Sequence, residues 1–362
     1  MPVSPLPYIL DIEPYKPGDS KVAGVAHPVK LASNENPFGA SPKAQAAYAQ
    51  AAADLALYPE GTARALREAI AARYGIDADR IVCGAGSDEI FFMLGRAFLG
   101  VGDEMVQSEH AFSVYRIVGQ QSGAVVRTAK AKDRAVDVDA MLACVTDETR
   151  IVWLDNPNNP TGTYIPYAEV RRLHAGLPGH VLLVIDAAYA EYVRRNDYSA
   201  GLELAGEADN VLMTRTFSKI YGLAALRLGW AYGPASVIDA LNRIRGPFNV
   251  SAPAQAAGVA AIGDSAFADQ SATFNEAELP RVAGALEAMG LRVTPSVGNF
   301  VLAHFPEGDP ARSAAAADAH LRARGYILRR VGGYGFPNAL RFSIGQRAHN
   351  DGALAALSEF MA

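Results

Sequence analysis

The sequence predicts an α/β protein with a large domain, built on a mostly parallel seven-stranded sheet, and a smaller α+β domain. The chain has 362 residues, enough for about two domains of ordinary size. Between residues 81 and 232, short apolar runs alternate with helical segments, which is the pattern of parallel strands covered on both faces. After about Pro247 this alternation stops. We therefore expect an N-terminal arm over residues 1–40, packed with the small domain or a partner subunit, a large domain over 41–246 and a small domain over 247–362.

The first elements are predicted from helix-boundary signals. The arm is rich in proline and turn-forming residues. Ser41-Pro42 predicts a helix start, because an N-cap oxygen is followed by a proline in the first turn. A second helix is predicted to begin at Thr62 and to end at Gly75, a residue that readily takes the left-handed conformation of a helix end.

The later elements are predicted from hydrophobic periodicity. In the large domain the strand cores lie at residues 81–83, 104–107, 125–127, 151–154, 181–185, 211–214 and 228–232, with a helix over 88–98 after the first. In the small domain we expect helices over 253–262 and 276–289 and from about residue 351, with strands over 299–304, 326–330 and 341–344.

Charge and composition exclude several classes of protein. The net charge of −5 argues against electrostatic binding to nucleic acid or to anionic membranes. The two cysteines, Cys83 and Cys144, are too few for a disulfide scaffold and are expected to be reduced. The N-terminal residues lack the pattern of a signal peptide, and no apolar run reaches the roughly 18 residues that span a bilayer. We therefore expect a cytoplasmic protein without a membrane segment.

The lysine distribution is unusual. Only seven of the 33 basic residues are lysines, and Lys219 is the single lysine after residue 132. Its neighbours are apolar, whereas an isolated lysine is ordinarily a solvated surface charge. Lys219 therefore calls for a specific explanation.

Polar residues follow four of the predicted strands, where ligands bind in open α/β sheets. One group, around residues 84–88, leads into a helix N-terminus that suits a phosphate, although Glu89 departs from a dinucleotide-binding fingerprint. The others are the stretch 155–162, Asp186 with Tyr189, and the stretch 214–219 with Arg227. Each alone has an ordinary structural explanation as a turn or a helix cap.

Together these groups provide the parts of a pyridoxal 5′-phosphate site. A lysine in apolar surroundings has a lowered pKa, so its neutral amine can attack the cofactor aldehyde. An acid beside the pyridine nitrogen keeps the ring protonated, so that the ring can accept electrons. The pattern thus predicts Lys219 as the covalent anchor and Asp186 as the acid.

The motifs also resemble those of fold-type I pyridoxal-phosphate-dependent aminotransferases, over nearly the whole chain. The matching segments are Asn-Pro-Asn-Asn-Pro-Thr-Gly at 156–162, Asp-Ala-Ala-Tyr at 186–189, and Thr-Phe-Ser-Lys at 216–219 with Arg227 eight residues beyond the lysine. Within that group the chain is most similar to the histidinol-phosphate aminotransferase family, through the segments 12–15, 30–37, 58–61, 299–300 and 340–345.

The resemblance implies a role for each matching residue. The catalytic residues are Lys219, which binds the cofactor covalently and moves the substrate proton, Asp186, which pairs with the ring nitrogen, and Tyr189, which hydrogen-bonds the ring 3-oxygen together with Asn159. Phe112 packs on the ring face. The residues expected around the cofactor phosphate are Ala85, Gly86, Ser87, Asp88, Thr216, Ser218, Arg227 and, from the neighbouring subunit of a homodimer, Tyr58. No metal is expected.

The resemblance also implies the reaction. Arg341 binds the substrate carboxylate as a bidentate fork, and Tyr15, Asn34, Asn159 and Arg329 line the substrate side. The implied activity is transfer of the amino group of L-histidinol phosphate to 2-oxoglutarate, giving imidazole acetol phosphate and glutamate in histidine biosynthesis.

Two departures from the family pattern leave alternatives open. Residues 109–111 read Glu-His-Ala where the family commonly has proline and a small residue, and Arg329-Arg330 is a doubled arginine before a loop at 332–336. An aromatic amino acid aminotransferase, or one enzyme with both activities, needs nearly the same pocket. A phosphate-ester amino acid decarboxylase uses the same cofactor and scaffold. The sequence does not assign a role to His110.

Overall fold

The structure is a computed structural model that describes residues 3–362. Its α-helices are α1 (Pro42–Ala51), α2 (Arg64–Tyr74), α3 (Ser87–Phe98), α4 (Ser113–Gln121), α5 (Val138–Ala143), α6 (Tyr167–Ala175), α7 (Leu202–Glu207), α8 (Ala235–Ile244), α9 (Ala252–Ile262), α10 (Ser265–Ala288), α11 (Ala314–Ala323) and α12 (Arg347–Met361). Its strands are β1 (Val29–Lys30), β2 (Ile81–Gly84), β3 (Glu104–Ser108), β4 (Val125–Ala129), β5 (Thr149–Asp155), β6 (Leu182–Asp186), β7 (Val211–Thr216), β8 (Gly229–Tyr232), β9 (Arg292–Thr294), β10 (Phe300–His304), β11 (Tyr326–Ile327), β12 (Arg329–Val331) and β13 (Phe336–Ser343).

The seven predicted strand cores form one seven-stranded sheet, so the predicted fold class is confirmed. The strand order is β2-β8-β7-β6-β5-β3-β4. Only β8 runs antiparallel to its two neighbours, β2 and β7, and the remaining pairs are parallel. Alternate residues of each strand enter apolar clusters on opposite faces, as Val152 and Leu154 do on one face and Ile151 and Trp153 on the other.

The central parallel strands end side by side in polar residues. Asp155, the last residue of β5, is the register partner of Asp186, the last residue of β6. Asp186 in turn pairs with Thr214 of β7. Because the strands are parallel and in register, their carboxyl ends place these side chains at one edge of the sheet.

The C-terminal sheet is antiparallel, in the order β12-β13-β10-β9. It has its own apolar cluster, which includes Val301, Phe342 and Leu357. Helix α9 packs instead on α1 and α2 of the N-terminal half. The division of the chain at residue 246 stays a prediction.

Three helices begin two or more residues away from where they are expected. Helix α2 begins at Arg64 rather than Thr62, because Ala63 takes a left-handed conformation (φ 50°) and the Glu60 carboxylate accepts hydrogen bonds from the N–H groups of Thr62 (3.0 Å) and Arg64 (2.8 Å). Helix α10 begins at Ser265 rather than residue 276; part of its buried face is polar, with Ser271 and Asn275, and therefore lacks a hydrophobic period. Helix α12 begins at residue 347 rather than about 351. In addition, strand β13 begins at Phe336 rather than residue 341, and the strand expected over 326–330 is divided into β11 and β12, which lie in different sheets.

The arm is tied to the C-terminal part of the chain. Strand β1 pairs in parallel with β11, a contact between two-residue strands that hydrophobic periodicity does not reveal. The N–H of Leu31 also donates to the carbonyl of Ile327 (2.8 Å). The arm therefore lies against the C-terminal elements, where it reaches the strand ends of the large sheet.

Candidate active site

A cavity of about 240 Å³ lies beyond the carboxyl ends of β5, β6 and β7. It collects side chains from the arm, the large sheet and the C-terminal sheet. The predicted residues that line it are Tyr15, Asn34, Ser87, Asp88, Phe112, Asn159, Asp186, Tyr189, Thr216, Ser218, Lys219, Arg227, Arg329 and Arg341. Ala85, Gly86 and Tyr58 are not among the lining residues.

Lys219 projects from the loop after β7 and is largely shielded from water. Its ammonium donates a hydrogen bond to the carbonyl of Ser33 in the arm (3.0 Å) and lies 5.7 Å from the centre of the Tyr189 ring. Burial, and then the positive charge of Arg341, lower the pKa of Lys219 to about 8. The neutral form of the Lys219 amine is therefore a much larger fraction near neutral pH than it is for a surface lysine.

Asp186 is a buried carboxylate that accepts hydrogen bonds from three groups. It accepts hydrogen bonds from the hydroxyl of Tyr115 (2.6 Å), the N–H of Ala188 (3.2 Å) and the hydroxyl of Thr214 (3.4 Å). Burial raises the pKa of Asp186 to about 6, against the opposing effect of these donors. A cation placed beside it would favour the charged carboxylate.

The loop between β2 and α3 leads directly into a helix N-terminus. Gly86 has φ 82°, and a Cβ atom on it would lie 2.3 Å from Nη2 of Arg227. Glycine therefore both allows the turn and admits the guanidinium. The helix that follows begins at Ser87, so free N–H groups and a guanidinium face the same end of the cavity.

Arg227 is fixed by its neighbours at this end. Its guanidinium donates to Oγ of Ser218 (3.3 Å) and pairs with the carboxylate of Asp88 (3.2 Å). Thr216 accepts the N–H of Ser218 through its hydroxyl (3.0 Å), which shapes the turn between β7 and Lys219. The hydroxyls and the guanidinium are donors suited to a phosphate.

The N–H of Ala85 has a partner within the chain. It donates to Oε2 of Glu89 (2.5 Å), and the same oxygen accepts from Nδ2 of Asn249 (2.8 Å). In this conformation Ala85 is therefore not a free donor for a phosphate.

The central part of the cavity holds Phe112, Asn159 and Tyr189. The side-chain oxygen of Asn159 accepts a short hydrogen bond from Arg341. The Tyr189 hydroxyl accepts from Nδ2 of Asn34 (2.9 Å), and burial raises the pKa of Tyr189 well above its ordinary value. Tyr189 is therefore a neutral phenol that can still donate its own proton.

Arg341 is a buried cation without a carboxylate partner in the described part of the chain. The residue is 6% exposed, and its Nη2 donates to the carbonyl of Ala32 (2.7 Å). Its Nε has no hydrogen-bond partner, and burial lowers the pKa of the guanidinium. An unpaired buried guanidinium is costly unless an anion binds to it.

The arm completes the cavity on the side of Arg329. Nη2 of Arg329 donates to the carbonyl of Lys16 (2.6 Å). The Tyr15 ring meets the Phe112 ring edge-on, with 6.5 Å between centroids. The arm thus contributes a wall of the site, as the sequence predicts for Tyr15 and Asn34.

Several residues at the site have no role implied by the motifs, and three of them shape its geometry: Tyr115, Tyr334 and Asp155. The stretch 155–162 and the loop at 332–336 stand out in the sequence, but neither indicates a role for Asp155 or Tyr334 itself. Tyr115 bonds Asp186, while Tyr334 and Asp155 line the cavity. Tyr115 lies three residues after Phe112 on α4, and this helical spacing could have suggested it. The contacts of Tyr334 and Asp155 form between segments that are far apart in the chain, so no local spacing indicates them.

His110 and Arg330 have positions outside the cavity lining. Nδ1 of His110 donates a hydrogen bond to the carbonyl of Tyr334 (2.8 Å), and the ring packs on Phe336, with 4.1 Å between centroids. Of the doubled arginines, only Arg329 lines the cavity, and Arg330 is exposed. His110 thus supports the loop that carries Tyr334.

Tyr58 lies away from the cavity on the surface of this single chain. It is 83% exposed and stacks on Phe248, with 4.7 Å between ring centroids. Its predicted contact with a second subunit stays a prediction.

The fold and the site together are those of a fold-type I aminotransferase. The family described as Aminotransferase class I and II matches residues 26–357, and the chain belongs to this family. Among curated proteins it is 57% identical, over 359 residues, to the histidinol-phosphate aminotransferase of Rhodopseudomonas palustris strain BisB5, which covers 99% of this chain and 98% of the relative. The enzyme of the same name from strain HaA2 is 56% identical, with the same shares covered.

Solved structures agree with this placement. Histidinol-phosphate aminotransferase from Sinorhizobium meliloti, in complex with pyridoxal-5′-phosphate, matches with a TM-score of 0.89 and 28% identity, covering 98% of this chain and 96% of that one. A mutant of Thermus thermophilus aspartate aminotransferase has a TM-score of 0.82 at 21% identity, over 92% of this chain and 96% of that chain, and supports the fold alone.

Two further features concern residues 3–362. None of the helices formed by these residues combines the length and apolar character needed to cross a membrane. Nor do they contain a group of three or more His, Cys, Asp or Glu side chains placed to hold a metal ion.

Proposed function

We propose that this chain is a pyridoxal-phosphate-dependent aminotransferase that transfers the amino group of L-histidinol phosphate to 2-oxoglutarate. The observation that carries the proposal is one cavity that contains a lysine with a lowered pKa, a buried aspartate and two arginines for which the described residues provide no carboxylate partner. The two curated relatives named histidinol-phosphate aminotransferase support the choice of substrate.

The residues present fit the cofactor. Asp186 can pair with a ring nitrogen and Lys219 with an aldehyde carbon, while the N-terminus of α3 with Arg227 and Ser218 would hold a phosphate. The buried Oδ1 of Asp155 and the buried Nε of Arg341, both at the cavity, have no partners in the described chain. When bound, pyridoxal phosphate supplies an electron sink for the bonds at the substrate Cα.

The chain's own groups handle the proton. The neutral amine of Lys219 would accept the proton from the substrate Cα at Nζ and deliver it to the C4′ carbon of the cofactor within the same half of the exchange. In the second half, Lys219 would carry out the two transfers in reverse. Asp186 keeps its charge beside the protonated ring nitrogen. Tyr189, a neutral phenol held by Asn34, orients the 3-oxygen through its hydroxyl.

The two substrates share a need for cationic recognition. Histidinol phosphate carries a dianionic phosphate, and glutamate carries two carboxylates. Arg329 and Arg341 both line the cavity, so either substrate can place an anionic group between guanidiniums. The carboxylate of an aromatic amino acid carries a single negative charge, whereas the phosphate of histidinol phosphate is a dianion, so two guanidiniums without carboxylate partners in the described chain favour the phosphate substrate.

A homodimer with shared sites is part of the proposal. Exposed apolar side chains surround Tyr58: Leu55 is 73% exposed, Leu57 70% and Phe248 43%. Such a cluster is typical of a surface that another chain covers. The proposed compartment is the cytoplasm.

A half-reaction panel tests the substrate. Cofactor-loaded enzyme is mixed separately with histidinol phosphate, glutamate, tyrosine and phenylalanine, while the visible absorbance of the lysine-bound cofactor is followed. We expect histidinol phosphate and glutamate to discharge this absorbance fastest. If tyrosine reacts while histidinol phosphate does not, the enzyme is an aromatic aminotransferase.

A further inference from the structure

We infer that Asp155 is a positioning residue whose Oδ2 atom holds the backbone of Phe112 and Asn159 against the cofactor. The inference rests on the proposed function, because both of these residues are expected to touch pyridoxal phosphate. Asp155 lies at the end of β5 and has no role in the proton transfer described above.

The geometry joins two separate segments at one oxygen. Oδ2 of Asp155 accepts the N–H of Phe112 (3.2 Å), the N–H of Asn159 (3.2 Å) and Nδ2 of Asn158 (3.0 Å). Phe112 lies 43 residues earlier in the chain, immediately before α4. Neither of the two backbone N–H groups has a backbone acceptor in the described chain. One side chain therefore sets the distance between the residue on the ring face and the residue at the 3-oxygen.

Asn158 adds a second link between the same two segments. Its Nδ2 also donates to the carbonyl of His110 (3.2 Å), and its Oδ1 accepts the hydroxyl of Thr161 (2.6 Å). The loop after β5 is thus connected to the segment before α4 both through Asp155 and through Asn158. The loss of Asp155 would leave Asn158 as the remaining link.

The environment indicates that Asp155 acts as an acceptor and not as a charge. The residue is 4% exposed, its Oδ1 is buried without a partner, and no cation pairs with it in the described chain. Burial, followed by the charge of the adjacent Asp186, raises its pKa to about 8. A protonated carboxyl and an amide both present one carbonyl oxygen, so asparagine should replace this aspartate with little loss.

The test compares Asp155→Ala with Asp155→Asn in the full-length holoenzyme. The rate of cofactor loss on dilution is followed by the visible circular dichroism of the bound cofactor, and rebinding of added pyridoxal phosphate by tryptophan fluorescence. Leaving buried N–H groups unpaired should weaken cofactor binding by about 10- to 100-fold in Asp155→Ala. Asp155→Asn should remain within about 3-fold of the parent, because its amide oxygen keeps the acceptor.

Two outcomes would overturn the inference. One is a folded Asp155→Ala protein that holds the cofactor as tightly as the parent. The other is an Asp155→Asn protein as weak as Asp155→Ala, which would make the charge decisive. If Asp155→Ala does not fold, Asp155→Leu fills the space without an acceptor and takes its place. Failure of the parent protein itself to bind pyridoxal phosphate would contradict the proposed function instead.

Discussion

Arg329 and Arg341 lie directly opposite each other on the antiparallel strands β12 and β13, and both side chains line the cavity. Like charges in directly opposed positions destabilise a sheet. Their partners within the described chain are neutral oxygens: the carbonyl of Lys16 for Arg329, and the carbonyl of Ala32 and the amide oxygen of Asn159 for Arg341. We therefore expect a bound anion to complete the arrangement.

The doubled arginine offers a matched pair of variants for this idea. Arg329→Ala should raise KM for histidinol phosphate by about 10- to 100-fold, because one charge-assisted contact with the phosphate is lost. Arg330→Ala removes the exposed neighbour and should change KM by less than about 2-fold. Steady-state kinetics check both, and an equal effect of the two variants would contradict the assignment.

Lys219→Ala should abolish turnover. The variant lacks both the covalent anchor and the group that carries the Cα proton, so we expect kcat to fall by several orders of magnitude and the visible absorbance of the lysine-bound cofactor to vanish. Lys130→Ala is the control, since the Lys130 side chain is 83% exposed and pairs with Glu109 on the surface. Sustained multiple turnover by Lys219→Ala would refute its role.

Tyr115→Phe should change the pH dependence of kcat/KM. The hydroxyl of Tyr115 lowers the pKa of Asp186, so its removal raises that pKa further above the ordinary value. Asp186 then gains its proton at higher pH, and the acidic limb of the profile should move upward by about one unit. Tyr164→Phe is the control. It removes a hydroxyl that donates a hydrogen bond to the exposed carboxylate of Asp197, and it should leave the pH profile unchanged.

Asp155→Asn should alter the pH dependence of stability in the cofactor-free chain. The pKa of Asp155 is raised from 3.8 to about 8 by folding, so its contribution to the free energy of unfolding is full below about pH 4 and is lost as the pH rises through 8. The parent should therefore lose stability relative to Asp155→Asn between pH 5 and 8. Urea unfolding at several pH values measures this, and parallel curves for the two proteins would exclude it.

Gly86→Ala should weaken cofactor binding. The new methyl group would meet the Arg227 guanidinium at 2.3 Å and strain a backbone with φ 82°. We expect a loss of about 1–3 kcal/mol of stability and weaker binding of inorganic phosphate. Gly102→Ala, also at positive φ but with open space around it, should show the backbone strain alone. Thermal unfolding with and without phosphate separates the two effects.

Much of the fold follows from local pattern. The strand cores of the large sheet are apolar runs between helices, and their polar ends mark where Asp186 and Lys219 gather. The family motifs supplied most of the cavity lining. The first half of α10 escaped prediction because Ser271 and Asn275 bury polar groups on its inner face.

The residues of the site that the sequence did not predict depend on contacts between segments that are far apart in the chain. Tyr334 reaches the cavity because its loop is held by His110 and Ser113, more than 200 residues away in the chain. The role of Asp155 depends on the N–H of Phe112, which no spacing indicates. The contact predicted for Tyr58 is with a second subunit, and no packing within one chain specifies it.

The pairing of β1 with β11 has a consequence for how the protein can be engineered. Val29 and Lys30 are aligned with Tyr326 and Ile327, while Lys16 accepts a hydrogen bond from Arg329. The arm is thus bound to residues 326–329 of the C-terminal part, and Tyr15 and Arg329 from these two parts line the same pocket. Removal of the first thirty residues to shorten an expression product would remove these contacts with β11 and Arg329, so we expect substrate recognition to be lost as well.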